Sequence, residues 1–277
     1  MGSSKPGRAM PKVKVAQNGA VFEIVIDRPQ VLNAVDRETI AALAAAAARA
    51  ADEPAARAVL LRGAGAHFCA GGDIGMFGAL IDLPAAERGL ALREIVDGLH
   101  PLITRLRRMP KPVVAAVQGA AAGFGLSLVL AADLALAAED AVFASGYIHL
   151  GTSPDGGMTT TLPQTVGLKR AAELVFLGER FDARRACELG IVNRVVPAGL
   201  LLDEARALSA RLAAGPRLAY AAGKALLQEA AGEALDRQLR REAESFAACA
   251  ASEDFVEGVR AFLEKRRPDF SASCGKK

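Results

Sequence analysis

The chain has 277 residues, of which 52% are apolar and 5% aromatic, and it carries a formal net charge of +3. This length allows one large α/β domain, or a domain followed by a helical tail. The weak and diffuse charge argues against a nucleic-acid partner, although it suits a phosphorylated ligand.

Cysteine spacing and hydropathy indicate the cellular compartment of the chain and whether disulfides, metal sites or membrane spans are expected. No CxxC motif and no neighbouring pair of histidines accompanies the four cysteines, Cys69, Cys187, Cys249 and Cys274. We therefore expect no disulfide, no metal site and a reducing cytoplasm. No stretch approaches the ~18 uninterrupted apolar residues of a membrane span, so no membrane partner is expected. Residues 1–11 are polar and basic without the apolar core of a signal peptide; they predict a disordered leader, and residues 271–277 predict a disordered tail.

The first predicted elements are a hairpin and a helix. Residues 13–15 and Val21–Ile26 are β-rich and flank an Asn18-Gly19 pair, which is typical of a hairpin turn. Asp36 then predicts the cap of an Ala-rich helix that ends near Ala51.

The middle of the chain alternates between apolar runs and Gly-rich segments. In chain order we predict a strand, a loop, a helix, a strand, a second loop and a buried helix at residues 57–61, 63–72, 87–108, 112–117, 119–125 and 126–132. Such alternation favours parallel strands with right-handed crossovers. Beyond residue 158 short helices follow, and residues 201–262 are almost wholly helical. We expect an α/β core over 12–200 and a C-terminal helical section over 201–270.

Two glycine loops carry the chemical signal. The first glycine loop (67–74) and the second glycine loop (118–126) each combine small residues with a predicted helix start, where backbone N–H groups are free. Facing each other, the loops would bind an anionic oxygen without a charged side chain. Either loop alone is more typical of a tight turn or of close helix packing than of a binding site. Neither has GxGxxG or Walker spacing, so a bound nucleotide cofactor is not predicted.

Five segments, in order, resemble the crotonase superfamily, the enoyl-CoA hydratase and isomerase family, over residues 13–270. They are the 26–34 segment with Ile26-Asp27-Arg28-Pro29 and Leu32-Asn33-Ala34; Phe68-Cys69-Ala70-Gly71-Gly72-Asp73-Ile74; residues 119–125; Gly151-Thr152-Ser153-Pro154-Asp155-Gly156-Gly157; and residues 261–268. The resemblance implies a crotonase-like spiral core of parallel strands, followed by a C-terminal helical section at the interface of a homotrimer or hexamer.

The resemblance also implies roles for individual residues. The N–H groups of Gly72 and Phe124 would hold the thioester oxygen of an acyl-CoA substrate. Phe124 stands where the family often has glycine, but only its N–H is required. Coenzyme A would be part of the substrate rather than a resident cofactor. The residues expected to bind this substrate are Arg28, Val31, Ala34, Ala70, Gly71, Asp73, Ile74, Tyr147, Phe262 and Lys265.

Some of these residues also have ordinary structural interpretations. Asp73 is expected chiefly to cap the next turn. Phe262 and Lys265 would contact the CoA of a neighbouring subunit, but they fit an amphipathic helix with a basic end equally well. His67, His100 and His149 are too far apart for a local metal motif.

The chain departs from the family's hydratases at both catalytic glutamates. Ser127 and Tyr147 occupy those positions, so hydration by two glutamates is not expected. Asp155 stands where several single-base members carry Asp or Glu, although Pro-Asp-Gly-Gly is also a turn signal. A lone base suits isomerisation, in which one carboxylate removes a proton from one carbon and returns it to another.

The sequence therefore predicts an enoyl-CoA isomerase with Asp155 as the proton shuttle. Three alternatives stay open: a hydratase with a non-standard acid, a dehalogenase or hydrolase in which Asp155 is the nucleophile, and a non-catalytic binding protein. The acyl group and the pathway are not specified.

Overall fold

The computed structural model describes residues 11–230 and 234–270. Apart from Pro11, the predicted leader and the predicted tail lie outside the described residues. No helix in this described part is long and apolar enough to cross a membrane.

Nine strands occur in the described residues. They are β1 (Val13–Asn18), β2 (Val21–Ile26), β3 (Ala58–Gly63), β4 (Val113–Val117), β5 (Ala120–Ala122), β6 (Leu134–Ala138), β7 (Val142–Ala144), β8 (Phe181–Asp182) and β9 (Arg194–Val196). The main sheet has the order β1-β2-β3-β4-β6-β9, and a small sheet has the order β5-β7-β8.

Twelve α-helices occur in the same part of the chain. They are α1 (Arg37–Asp52), α2 (Ile74–Gly78), α3 (Ala85–Asp97), α4 (His100–Arg108), α5 (Phe124–Ala131), α6 (Met158–Val166), α7 (Leu168–Leu177), α8 (Ala183–Glu188), α9 (Leu201–Ala213), α10 (Arg217–Ala230), α11 (Ala234–Ala250) and α12 (Glu253–Leu263). The predicted cap of α1 is confirmed, since the Asp36 side chain accepts a hydrogen bond from the Thr39 N–H.

The predicted hairpin is present, and it makes one pair of the main sheet antiparallel where a parallel sheet was expected. β1 and β2 pair antiparallel from Val13 opposite Ile26 to Asn18 opposite Val21, so β1 runs further than predicted. Gly19 has φ 58°, which a side chain would disfavour. A two-residue turn can join only antiparallel strands. The remaining pairs of the main sheet are parallel, as expected.

The predicted single helix over 87–108 is wrong, because α3 ends at Asp97 and α4 begins at His100. Pro101 occupies the first turn of α4. Proline lacks an N–H and its ring clashes with the carbonyl four residues earlier, so a proline in a helix interior favours a kink or a break. The apolar periodicity continued across the break and hid it.

Five strands were missed by sequence reasoning: β6, whose sequence consists only of Leu and Ala and lacks β-branched residues, and four shorter strands. β5, β7, β8 and β9 have only two or three residues each. Strands this short cannot show a clear alternation of apolar and polar residues. The consequence is that the second glycine loop, predicted as irregular, contains β5 and is held by the small sheet.

The main sheet is buried on both faces. Val59 and Leu61 of β3 belong to the larger apolar cluster, beneath α1, α3, α4 and α5. Leu60 points into a smaller cluster on the opposite face, where Leu201 and Leu208 of α9 cover the strands. Burial on both faces explains the unbroken apolar runs in the strand sequences.

Arg88 ties the C-terminal helices to the first half of the chain. Its guanidinium is buried and donates to the carbonyl oxygens of Ala250 at 2.6 Å, Ala251 at 3.0 Å and Ser252 at 3.2 Å, and to that of Leu83 at 2.8 Å. This one side chain therefore joins α3 to the junction between α11 and α12.

Lys224 fastens α10 to the core in a similar way. Its ammonium is buried and donates to the carbonyl oxygens of Leu106 at 2.7 Å and Lys111 at 3.1 Å, and to the Asp133 carboxylate at 2.7 Å. All three ammonium protons are thus used.

Lys224→Met should lower the free energy of unfolding by roughly 2 kcal/mol, because buried carbonyl oxygens lose their donor while the side-chain stem is kept. The neighbouring change Gly223→Ala meets open space. It should raise stability by ~0.5–1 kcal/mol, because alanine favours the helix. Urea unfolding of both variants checks this, and equal stability of the two would contradict the role given to Lys224.

Candidate active site

The two glycine loops lie side by side and share backbone hydrogen bonds. The Phe68 N–H donates to the carbonyl of Gln118 at 2.7 Å, and the Cys69 N–H donates to that of Ala120 at 3.0 Å. In return the Ala122 N–H donates to the Cys69 carbonyl at 3.0 Å. The expectation that the loops meet is therefore met by a short stretch of parallel pairing.

This approach is so close that glycine is required. A Cβ at Gly125 would lie 2.0 Å from the Cys69 carbonyl oxygen, and one at Gly71 would lie 3.0 Å from that of Ala122. Gly71 also has φ 103°, which side chains rarely adopt. Any larger residue at Gly125 would push the two loops apart.

Gly72 and Phe124, whose N–H groups were expected to hold the thioester oxygen, both line one cavity. Phe124 is the first residue of α5, where a helical N–H has no partner four residues earlier. Neither N–H donates to another backbone group in the described residues. Two uncommitted donors from facing loops can together hold one oxygen atom.

The cavity has a volume of about 270 Å³, and most of its lining is apolar. Val35, Ile40, Phe77, Ile95 and Leu99 supply much of that surface. The predicted site residues that line it are Ala70, Gly71, Gly72, Ile74, Phe124, Tyr147, Asp155 and Phe262. Phe262 is largely exposed, which puts it at the cavity's edge.

Asp155 enters the cavity from a turn just before α6. Gly156 and Gly157 follow it with φ 64° and 80°. A Cβ at Gly156 would lie 2.8 Å from the ring of Phe124, so the turn packs directly against the second glycine loop. The Pro-Asp-Gly-Gly segment is thus a turn, and the turn delivers its carboxylate to the cavity.

Two neighbours hold Asp155. The Tyr147 hydroxyl donates to Asp155 Oδ1 at 2.8 Å, and the Ser127 hydroxyl donates to the Asp155 carbonyl oxygen at 2.9 Å. The two hydroxyl oxygens are 3.4 Å apart. Burial and the charge of Asp155 raise the pKa of Tyr147 well above its usual range, so the phenol keeps the proton that it donates.

Burial also shifts the pKa of the Asp155 carboxyl. It raises the pKa of Asp155 to about 7, against the hydrogen bond from Tyr147, which lowers it, while the charge of Glu242 raises it further. A carboxyl with this pKa is partly protonated at neutral pH. It can therefore accept a proton and return it with little free-energy cost at either step.

Several predicted binding residues lie away from the cavity. The Arg28 guanidinium is 3.0 Å from Asp73 and 3.1 Å from Asp36, and it donates to the Ala34 carbonyl at 2.5 Å. This network joins the 28–36 segment to the first glycine loop. Asp73 also accepts from the Gly75 N–H at 2.9 Å and so caps α2.

Three other residues expected to bind the substrate do not line the cavity: Val31, Ala34 and Lys265. Val31 and Ala34 belong to the 28–36 segment, and Lys265 is exposed with φ 55° just after α12.

Burial raises the pKa of the Cys69 thiol to about 12, which leaves it protonated and unsuited to act as a nucleophile. His149 lines the cavity, and its Nε2 is 3.0 Å from the Gly178 carbonyl oxygen.

Sequence reasoning missed Glu242 of α11. Its carboxylate is buried and accepts from the Gly157 N–H at 2.6 Å and the Thr159 N–H at 2.9 Å. No local signal could identify it, because its partners lie about eighty residues earlier in the chain.

The sequence and the fold match known proteins along nearly the whole chain. The family described as "Enoyl-CoA hydratase/isomerase" matches residues 16–273. A probable enoyl-CoA hydratase of Rhodobacter capsulatus is 39% identical, covering 90% of this chain and 93% of that protein. A 1,2-epoxyphenylacetyl-CoA isomerase of Escherichia coli is 36% identical, covering 91% and 95%. The crystal structure of an enoyl-CoA hydratase from Mycobacterium avium subsp. paratuberculosis has a TM-score of 0.84 and 35% identity, covering 94% and 98%.

Asp155→Asn should change how stability depends on pH. The folded pKa of about 7 lies above the unfolded value near 3.9, so between those pH values unfolding releases a proton. The wild type therefore loses stability through this group as pH rises from about 4 to about 7. The Tm of Asp155→Asn minus that of the wild type should therefore increase from about pH 4 to about pH 7. Above about pH 7 this difference should stay constant.

The matched control is Asp140→Asn, the same change at an exposed position. Its Tm difference from the wild type should not depend on pH in that window. A pH-independent difference for Asp155→Asn would mean that Asp155 ionises normally in the folded protein.

Proposed function

The chain belongs to the enoyl-CoA hydratase/isomerase family, and we propose that within this family it is an enoyl-CoA isomerase with Asp155 as its proton shuttle. The observation that carries the proposal is the position of one carboxylate. Of the described residues that line the cavity, Asp155 alone is an Asp or Glu. It lies against the second glycine loop, through the packing of Gly156 on Phe124.

The reaction begins with the thioester oxygen between the N–H groups of Gly72 and Phe124. Asp155 removes a proton from the acyl chain, so that a C–H bond breaks and its electron pair enters an enolate. The oxygen then carries the negative charge, and the two N–H groups stabilise it. One such donor is typically worth about 2.7–4 kcal/mol in the transition state.

The second half returns the same proton to a different carbon. The enolate electrons form the new C–H bond, the double bond is left in a new position, and Asp155 is again a carboxylate. No atom is gained or lost. A pKa near neutrality suits a group that must act as base and then as acid.

Ser127 and Tyr147 occupy the positions of the two hydratase glutamates, and their contacts with Asp155 support this assignment. Tyr147 donates to Oδ1 of Asp155, which leaves Oδ2 to carry the proton. Ser127 holds the backbone of the same residue. Neither side chain can act as a general base at neutral pH, so water activation by paired carboxylates lacks its residues.

The relatives' names include hydratases, and hydration is therefore the outcome against which the proposal is tested. Mass spectrometry separates the two, because an isomer keeps the substrate's mass and a hydrated product gains one water. Chloride release from a chlorobenzoyl-CoA would instead favour Asp155 as a nucleophile. No affinity for any acyl-CoA would indicate a protein outside this chemistry.

Asp155→Asn should bind acyl-CoA normally but lose turnover by roughly 10²–10⁴, the usual contribution of a positioned acid or base. The amide keeps the size of the side chain and cannot take up a proton at neutral pH. Isomerisation of a panel of enoyl-CoA substrates and proton exchange in deuterated water, followed by NMR, provide the measurement. Asp140→Asn should match the wild type. Near-normal turnover of Asp155→Asn would overturn the mechanism and leave only the fold.

We also propose that the protein assembles into a homotrimer or a hexamer. In the single chain, Leu218, Leu226 and Leu227 of α10 and Phe176 of α7 expose most of their apolar surface. Large apolar side chains with this much exposed surface favour burial against another subunit.

Light scattering at micromolar concentration should give a mass about three or six times the 28.7 kDa of one chain. Leu226→Glu should lower that mass, because a charge would be buried at the interface, while Glu244→Gln on the exposed side of α11 should not. A monomeric mass for the wild type would contradict the assembly.

A further inference from the structure

Glu242 is a buried carboxylate outside the cavity that pairs with no cation in the described residues. It is 2% exposed, and its partners are the N–H groups of Gly157 and Thr159 and the Thr159 hydroxyl. Those donors belong to the turn after Asp155 and to the first turn of α6. The carboxylate therefore binds the segment that presents Asp155.

We propose that Glu242 is a positioning residue for Asp155, holding from α11 the turn that aims the catalytic carboxylate. This inference rests on the proposed function, because it assigns a role relative to that base. It gives the C-terminal helical section a part in the chemistry of its own subunit.

The turn needs an external constraint because of its composition. Asp155 is followed by two glycines, the residues with the greatest backbone freedom. Gly157 is the N-cap of α6 and offers no side chain to cap it. Glu242 replaces the missing cap from 85 residues away. The Gln238 amide also donates to the Thr159 hydroxyl at 2.7 Å, so a second residue of α11 supports the same contact.

Packing around Gly157 reinforces the hydrogen bonds. A Cβ there would lie 3.4 Å from Leu235 and 3.6 Å from Leu239, both on α11. The helix thus covers the turn with apolar side chains and binds its N–H groups with one carboxylate. Movement of α11 would release both constraints together.

A carboxylate is an expensive choice for a cap at this depth, since burying a charge costs far more than burying an amide or hydroxyl. Burial raises the pKa of Glu242, and its hydrogen bonds from Thr159 and Gly157 oppose that rise. The Glu242 carboxylate acts on Asp155 by repulsion and raises the pKa of its carboxyl, after the larger effect of burial.

Three groups beside Asp155 bear on its ionisation. Tyr147 donates to it and lowers its pKa, whereas Glu242 repels its charge and raises the pKa. The Cys69 thiol is protonated and uncharged at neutral pH. Glu242 and Tyr147 thus oppose each other, and removing either should move the acidic limb of the pH profile in an opposite direction.

The test is Glu242→Gln in the full-length protein, with Glu244→Gln as its matched control on the exposed side of the same helix. The amide has one acceptor oxygen where the carboxylate has two. Turnover should fall roughly 10- to 100-fold with KM for the acyl-CoA unchanged, because misplacing a reacting group by about 1 Å costs rate at this scale. The acidic limb of kcat/KM should move to lower pH, because the repelling charge is gone.

Two further variants complete the test. Tyr147→Phe should move the same limb to higher pH, and Thr159→Val should give a smaller loss of turnover with KM unchanged. Thr159→Val keeps the inference testable if Glu242→Gln does not fold. Both Glu242→Gln and Thr159→Val could instead lower Tm while neither shifts the acidic limb nor lowers kcat at unchanged KM. In that case Glu242 is only a structural cap. Loss of turnover in Asp155→Asn but not in these variants would overturn this inference alone.

Discussion

The backbone contact between the two glycine loops is the constraint on which the rest of the site depends. Cys69 exchanges hydrogen bonds with Ala120 and Ala122, and Gly125 leaves no room for a Cβ against the Cys69 carbonyl. The contact brings the loops that follow the parallel strands β3 and β4 to the same point. Because the donors are backbone groups, their direction is set by the sheet rather than by a rotatable side chain.

Asp155, the proposed base, lies on a third segment that packs against these loops, and its burial has two effects. Placing the Asp155 turn against Phe124 removes the carboxyl from water, which raises its pKa to about 7. That pKa serves proton transfer, but a group that resists ionisation when folded also reduces stability at neutral and higher pH. The ties made by Arg88 and Lys224 act elsewhere in the fold and offset part of this loss.

Local patterns predicted those features that local sequence determines. The hairpin at Gly19, the Asp36 cap, the glycine loops and the family resemblance all depend on residues close together in the chain. Periodicity failed at Pro101, where one apolar stripe spans two helices, and at β5, which is too short to show alternation.

Other features depended on contacts between distant residues and had no sequence signal. The Arg28 guanidinium pairs with Asp73, 45 residues later in the chain. Glu242 meets its partner 85 residues away, and Arg88 reaches carbonyls 162 to 164 residues away. Such separations also bear on the order in which the molecule forms. Contacts at such separations require the closure of long loops, and synthesis delivers α11 and α12 after the sheet and both glycine loops. A growing chain can thus complete its sheet and both glycine loops while the Asp155 turn is still unrestrained, so the Asp155 carboxylate is among the last parts of the fold to reach its final position.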